Sequence, residues 1–315
     1  MTDETSEVLG GELRDQLVAA LQRVPELAGR SLTLTALSGG ITNRNFLITI
    51  AGGKDRYVIR LAGNDTHLLG ISREVEHAAT VAAAGVGVGP EVTAFIRPEG
   101  YLVTRFIEGS PVTFEQVREP DTLARIADSL RRVHQGPPIP GLFVPLRIVA
   151  AYKALAEARG VRIPPEYDLA EAIGRRIELA CLADRVDLRP CHNDLLNANF
   201  IDYGARIRIV DWEYAGMGDP YFDLGNFSIN HELTPDDDAH LLAFYEGPAR
   251  IDHLARLTLM RVVSDFREAM WGVLQQGIST LDVDFVAYAG EHFDRLLANA
   301  STPAFEKALR EAAGG

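Results

Sequence analysis

The residues with the clearest chemical potential lie in CHNDLLNANFI (191–201) and IVDWEYAGMGDPYFDLGN (209–226). Phosphoryl transfer needs a divalent cation that bridges the phosphates, a carboxylate that accepts the hydroxyl proton, and cationic groups on the phosphate oxygens. Asp194 can supply the base, while Asn199 and Asp211 offer the oxygen ligands that Mg²⁺ prefers. This combination predicts a phosphoryl-transfer site.

A purely structural interpretation of the same residues is that Asp194 and Asn199 form turns and that Asp211 caps a strand. The strand before Asp211 is apolar and β-branched, so it can hold that carboxylate towards the same cation as Asn199. The paired pattern therefore favours the catalytic interpretation.

A glycine-containing turn, LSGGITN (37–43), separates two predicted strands in the N-terminal part. Such a turn lets backbone amides approach phosphates, although Gly-Gly turns are also common in simple hairpins. Its predicted nucleotide-binding residues are Ser38, Gly39, Gly40 and Asn43.

Arg60 lies between the apolar residues Ile59 and Leu61 in the next strand, where a cation can reach the phosphates. Glu76, on the helix that follows, can hold that cation in position. Considered alone, Arg60 would be a solvated strand residue and Glu76 a surface charge, but the site after residue 190 favours a functional pair.

The helices and strands that position these residues are predicted from the hydrophobic periodicity, which changes along the chain. Strands are predicted at 31–37, 44–50, 56–62, 91–96 and 101–106, a helix at 73–84 with Ser72 as its N-cap, and short strands at 199–202 and 206–212. Further helices are predicted at 11–24, 120–134, 146–159, 166–182, 236–245, 250–276 and 284–298. This order predicts an α+β fold with an N-terminal nucleotide-binding lobe over 1–106, a helical catalytic and acceptor-binding lobe over 107–315, and a hinge at 106–112.

Composition excludes several classes of function. The net charge of −13, from 44 acidic and 31 basic residues, does not suit nucleic-acid binding. The two cysteines, Cys181 and Cys191, are too few for a disulfide scaffold or a zinc site, and no apolar run reaches the length of a membrane span. The acidic N-terminus does not resemble a signal sequence. We expect a cytoplasmic protein, and the oligomeric state is left open.

The chain resembles the choline/ethanolamine kinase and aminoglycoside phosphotransferase superfamily, and more closely the bacterial choline-kinase-like branch. The resemblance runs from about Leu34 to Tyr288, and its marks are LSGGITNRNFLI, YVIRLAG, SREVEH, YLVTRFIEG, LRRVH, CHNDLLNANFI and IVDWEYAGMGDPYFDLGN. It implies a protein-kinase-like fold with two lobes, a small antiparallel sheet and a larger, mainly helical part. It also implies an ATP-dependent phosphotransferase that uses Mg²⁺ and acts on a small-molecule alcohol substrate.

The resemblance assigns roles to residues by position. Asp194 is similar to the catalytic base, and Asn199 and Asp211 are similar to the Mg²⁺ ligands. Arg60 is similar to the residue that contacts the phosphates, and Glu76 is similar to its helix partner. The backbone of Thr104–Ile107, including Arg105 and Ile107, resembles the segment that binds adenine. Asp219 and Asp223 are expected to brace the catalytic loop, and Glu213 is expected to add a carboxylate.

The acceptor site is predicted around Trp271 and Glu268, which are i, i+3 neighbours on one helix face, together with Asp194. Aromatic faces and carboxylates recognise organic cations, which favours a choline- or ethanolamine-like amino-alcohol. Choline kinases of eukaryotes have a second tryptophan where this chain has Glu268, and core packing is the alternative role for Trp271. Two other functions stay open: a kinase for an aminoglycoside, thiamine or another small alcohol, and a catalytically silent kinase-fold binding protein.

Overall fold

The computed structural model describes residues 11–37, 43–63, 66–181, 187–248 and 250–314. It confirms the predicted α+β class, because a small antiparallel sheet is followed by a mostly helical remainder. The division of the chain at 106/107 stays a prediction.

Five strands form the N-terminal sheet in the order β1-β2-β3-β5-β4, with every pair antiparallel. Side chains alternate between the two faces of each strand. Ile59 therefore points into an apolar cluster with the first helix, α1, while Arg60 points to the opposite face. The bounds are α1 Gly11–Leu21, β1 Leu32–Leu37, β2 Asn43–Ile50, β3 Arg56–Ala62, β4 Val92–Ile96 and β5 Tyr101–Arg105.

The next helix, α2 (Arg73–Gly85), connects the sheet to the rest of the molecule. Ser72 caps its N-terminus, with the Oγ atom accepting from the backbone N–H of Val75. Ala79 and Ala83 of this helix belong to the large apolar core formed by the C-terminal helices. Glu76, on the first turn of α2, is consequently held between the two cores.

The C-terminal part is mainly helical and carries two small sheets. Strand β8 lies between β6 and β9, and β7 pairs with β10. The bounds are β6 Ser110–Pro111, α3 Pro120–His134, α4 Pro145–Ala158, α5 Glu166–Cys181, β7 Arg189–Cys191, β8 Phe200–Asp202, β9 Ile207–Ile209, β10 Gly216–Gly218, α6 Pro220–Asn230, α7 Pro235–Glu246, α8 Ile251–Ile278, α9 Phe285–Ala300 and α10 Pro303–Ala312.

Helix α8 runs through the middle of the C-terminal part and contacts α4, α6, α9 and α10. Because α8 is surrounded on all sides, most of its residues from Ala255 to Gln275 are buried, and most of these are apolar. The polar residues in that stretch therefore need partners inside the protein. Among the helices of the described residues, none combines the length and apolarity that a bilayer crossing requires.

Helix α6 carries two residues that hold the catalytic loop, and Gly225 sets its distance from α8. A Cβ atom at Gly225 would lie 2.7 Å from the carbonyl carbon of Met260 on α8. We expect Gly225→Ala to lower the free energy of unfolding by about 1–3 kcal/mol, as overpacking does elsewhere. Denaturant titration measures this change.

The matched control is Gly290→Ala on α9, where no atom lies within 4 Å of the added methyl group. Because alanine favours the helix interior, this variant should be about 0.5–1 kcal/mol more stable than the wild type. Equal stability of the two variants would contradict the close approach of α6 and α8.

Candidate active site

The catalytic loop follows β7 and carries His192, Asn193 and Asp194. It is held in position by Asp223, a fully buried residue of α6. Its carboxylate accepts hydrogen bonds from the backbone N–H groups of His192 at 2.8 Å and Asn193 at 2.6 Å. Asn193 has a φ of 68°, a left-handed conformation that asparagine tolerates better than most residues. Asp223 thus stabilises the turn that presents Asp194.

Two further contacts support the same loop. Asn226, one turn after Asp223, accepts a hydrogen bond at 2.7 Å from the backbone N–H of Leu195. His134, the last residue of α3, contacts Asp223 through Nε2 at 3.0 Å and the hydroxyl of Tyr245 through Nδ1 at 2.7 Å. Asp219, by contrast, caps α6 and pairs with Arg256 at 2.7 Å, and within the described part of the chain its side-chain hydrogen bonds go to Tyr221 and Arg256 and not to the loop.

The β8–β9 hairpin brings Asn199 and Asp211 together. Phe200 pairs with Ile209, and just beyond that pair the backbone N–H of Val210 donates to the carbonyl of Asn199 at 3.0 Å. Asn199 also donates through Nδ2 to the backbone carbonyl of Asp194 at 2.9 Å. The three predicted residues of the site therefore lie next to one another.

His192 connects the catalytic loop to the segment that carries Asp211. The backbone N–H of Asp194 donates to Nδ1 of His192 at 3.2 Å, so Nε2 carries the proton and donates to the carbonyl of Val210 at 2.9 Å. Burial lowers the pKa of His192, which keeps the ring neutral and preserves both bonds.

Asp194 lies in a partly buried, mostly acidic environment. Burial raises its pKa well above the ordinary value, Arg267 opposes this rise, and the charges of Glu268 and Asp211 add to it. The nearest Arg267 nitrogen, Nη1, lies 3.8 Å from Oδ1 of Asp194. A carboxylate in such a place takes up a proton more readily than an exposed one.

Arg60 reaches the site from the N-terminal sheet and contacts two carboxylates. Its Nη1 donates to Oε1 of Glu76 at 3.0 Å and also pairs with Oδ1 of Asp211. Burial opposes the ionisation of Asp211, but the charge and the hydrogen bond of Arg60, together with His192 and Arg73, outweigh this effect and lower the pKa of that carboxyl group. The predicted cation, its predicted partner and the predicted metal ligand therefore form one cluster.

Arg73, which sequence reasoning did not single out, ties this cluster to its surroundings. Its Nη1 donates to Glu76 at 2.6 Å, and its Nη2 donates to Asn43 at 3.0 Å and to Thr66 at 2.9 Å. The same guanidinium lies 3.5 Å from Glu213. The sequence offered one signal for Arg73: it lies three residues before Glu76, and residues three apart share a helix face.

Glu213 completes the cluster and accepts a hydrogen bond from Nδ2 of Asn43 at 2.7 Å. Burial, with a further contribution from Asp211, raises the pKa of Glu213 to about 7. Its contacts lie with Asn43 and Arg73, and Asn43 is the residue at which the glycine-containing turn ends. The other predicted turn residues, Ser38, Gly39 and Gly40, lie outside the described residues.

The predicted hinge leads from the end of β5 directly into β6. Arg105 is half-exposed, and its side chain donates to Asp55 at 3.2 Å. Its backbone N–H donates to the carbonyl of Glu91, just before β4, and the N–H of Phe106 donates to the carbonyl of Arg56 in β3. A Cβ atom at Gly109 would lie 2.4 Å from the carbonyl oxygen of Asp202, so only glycine allows this close approach to β8.

The predicted acceptor residues lie on α8 beside Asp194. Trp271 donates through Nε1 to the hydroxyl of Tyr214 at 3.0 Å, and its ring contacts Tyr288 edge-on at 5.5 Å between centroids. Glu268 accepts a hydrogen bond from Tyr288 at 2.9 Å and pairs with Arg267. Aromatic rings and a carboxylate therefore lie beside Asp194, the candidate base.

The donors at Asn199 and Asp211 fit a small, hard cation. Asn199 uses its amide nitrogen on the Asp194 carbonyl, so its amide oxygen is the atom suited to a cation. Asp211 adds a carboxylate that is held by a cation, Arg60, in this structure. Oxygen donors of these two kinds match Mg²⁺ better than a soft metal.

Comparison with known proteins agrees with this geometry. The Phosphotransferase enzyme family matches residues 33–257. Protein LicA of Haemophilus influenzae is 29% identical over 211 residues, covering 66% of this chain and 61% of that protein. Ethanolamine kinase 2 of Mus musculus is 24% identical over 328 residues, covering 94% of this chain and 82% of that protein.

The crystal structure of a choline/ethanolamine kinase family protein from Mesorhizobium loti superimposes with a TM-score of 0.83 and 31% identity, covering 96% of this chain and 99% of that one. The chain therefore belongs to the phosphotransferase enzyme family and, within it, to the choline/ethanolamine kinase family.

Proposed function

We propose that this protein is an ATP-dependent kinase that transfers the γ-phosphoryl group to the hydroxyl of a small, cationic amino-alcohol of the choline or ethanolamine type. The observation that carries the proposal is the convergence of Asp194, Asn199 and Asp211, with Arg60 paired to Asp211. This is the set of groups that phosphoryl transfer requires from a protein.

The nucleotide is proposed to lie between the sheet and the helical part, with its adenine along the Thr104–Ile107 backbone, including Arg105 and Ile107. Arg60 then contacts the phosphates, because a guanidinium presents a planar fork of donors to phosphate oxygens. Glu76 and Arg73 hold Arg60 from behind. The turn that includes Ser38, Gly39 and Gly40 and ends at Asn43 is proposed to cover the phosphates.

Asn199 and Asp211 are proposed to hold Mg²⁺. When bound, the cation would neutralise charge on the phosphate oxygens. Glu213 lies close enough to support this site, and its contacts with Asn43 and Arg73 connect it to the phosphate-binding turn.

Asp194 is proposed to position the acceptor hydroxyl and to accept its proton. The hydroxyl oxygen forms a bond to the γ-phosphorus while the bond from that phosphorus to the bridging oxygen of ADP breaks, and the proton passes to the carboxylate. The backbone N–H groups of Asp194 and Leu195 donate to Nδ1 of His192 and to Oδ1 of Asn226, and these two hydrogen bonds hold the backbone that directs the Asp194 side chain. Precise placement of this kind is the main source of rate acceleration in phosphoryl transfer.

Trp271 and Glu268 are proposed to form the acceptor site with Asp194. Two relatives carry ethanolamine or choline/ethanolamine kinase in their names, which supports an amino-alcohol over an aminoglycoside. The presence of Asp194, Asn199 and Asp211 together also disfavours a catalytically silent binding protein.

The proposal is tested by ADP release with ATP, Mg²⁺ and a panel of acceptors: choline, ethanolamine, thiamine and an aminoglycoside. We expect turnover with choline or ethanolamine. Turnover confined to the aminoglycoside or thiamine would replace the acceptor class, and nucleotide binding without ADP release from any acceptor would refute the kinase assignment.

Asp194→Asn should lower kcat by about 10²–10⁴-fold, which is the usual contribution of a positioned base. Because the variant keeps the size of the side chain and lies away from the proposed phosphate contacts, the affinity for ADP should change little. Steady-state kinetics and calorimetric ADP titration measure both. The exposed Asp168→Asn on α5 is the matched control, and equal kcat for the two variants would contradict the role of Asp194.

Asp211→Asn should raise the Mg²⁺ concentration that gives half-maximal activity by tenfold or more, on the order of the loss of one charged ligand contact. Titration of activity with MgCl₂ at fixed ATP measures this value, and removal of the metal with EDTA should abolish turnover of the wild type. An unchanged Mg²⁺ dependence in the variant would remove Asp211 from the metal site.

A further inference from the structure

Arg267 lies beneath the proposed acceptor site and is only 1% exposed. Its guanidinium carbon lies 4.3 Å from the centre of the Tyr214 ring, and Nη1 lies 3.8 Å from the Asp194 carboxylate. The same Nη1 pairs with Oε1 of Glu268. One buried cation therefore contacts the candidate base, a candidate acceptor residue and an aromatic ring.

Both carboxylate oxygens of Glu268 have partners inside the protein. Oε1 pairs with Arg267, and Oε2 accepts the hydroxyl hydrogen of Tyr288 at 2.9 Å. A positively charged acceptor would have to displace one of these partners to reach Glu268. The carboxylate is thus placed as a structural anchor rather than as an open cation site.

Stability alone does not explain Arg267. Among the described residues, its Nε and Nη2 atoms are buried without a hydrogen-bond partner. A buried ion pair with unpaired donors is often less stable than apolar side chains of similar volume. A functional reason for the guanidinium is therefore needed.

We propose that Arg267 is a positioning residue. It pairs with Glu268, so that Glu268 does not bind the positive charge of the acceptor, and this pair holds Asp194 and Tyr214 in position. The acceptor's positive charge is then met by aromatic faces and by Asp194. The statement about the acceptor rests on the proposed kinase function; the statement about the pair does not.

The pair is tested first by thermal unfolding of Arg267→Met, Glu268→Gln and the double variant, without any substrate. Each single variant leaves one buried charge without its opposite charge, so each should melt below the wild type. The double variant should melt above both single variants. Additive losses in the double variant would show that the two residues act independently and would overturn the proposal.

The acceptor role is tested with choline and its uncharged carbon analogue, 3,3-dimethylbutan-1-ol, used as a competitive inhibitor. In Glu268→Gln, the KM for choline and the inhibition constant of the analogue should change by the same factor. If Glu268 bound the acceptor's cation directly, the KM for choline alone would rise by about tenfold or more, and this result would overturn the proposal.

Positioning of Asp194 is tested by kcat. Arg267→Met and the double variant should both lose tenfold or more in kcat, with the KM for ATP nearly unchanged, and Arg267→Lys should recover part of the loss. An unchanged kcat in the double variant would overturn the positioning role, because the pair would then be structural only.

Arg261→Met provides a matched control on the same helix. Arg261 also forms a partly buried ion pair, with Asp238 at 2.8 Å, away from the acceptor residues. It should melt below the wild type and keep the wild-type kcat; a loss of kcat in this control equal to that of Arg267→Met would overturn the specific role of Arg267. If the wild type phosphorylates neither choline nor ethanolamine, the proposed acceptor class fails, while the thermal measurements still decide the pair.

Discussion

The hydrogen bonds from the catalytic loop to Asp223 are the contacts on which the site depends. Asp223 is fully buried, so its charge needs strong donors, and it finds two of them in the backbone of His192 and Asn193. Neither the strained turn at Asn193 nor the buried carboxylate would be favourable alone. Together they fix the loop, and the close packing of α6 against α8 at Gly225 carries that constraint into the core.

The remaining machinery is organised by cations that approach from different elements. Arg60 and Arg73 gather the carboxylates Glu76, Asp211 and Glu213 on the N-terminal side, while Arg267 gathers Asp194 and Glu268 on the other. Carboxylates at this density would repel one another and take up protons. The arginines allow the acidic groups to remain close together.

Local patterns in the sequence predicted the strands of the N-terminal sheet and most of the helices. They also predicted Asp194, Asn199 and Asp211, which lie next to one another in the fold. Arg60 was predicted from its position between the apolar residues Ile59 and Leu61, and Asp194 and Asn199 were predicted from the motif at 191–201. Helix α6 was missed because its sequence was interpreted only as a motif, and α10 was not predicted either. Arg73 and Arg267 were missed for another reason: their partners lie on distant segments, and a charged residue in a helix ordinarily indicates a solvated face.

A buried arginine on a largely apolar helix changes how an acceptor site should be interpreted. The sequence alone suggests that the carboxylate of Glu268 and the ring of Trp271 both face the substrate cation. In the fold, Glu268 faces an internal cation first, and Trp271 is oriented by the hydroxyl of Tyr214. In the proposed acceptor site, charge complementarity therefore belongs to the whole group around Asp194, and we expect substitution of one member to change the positions of the others as well as the local charge.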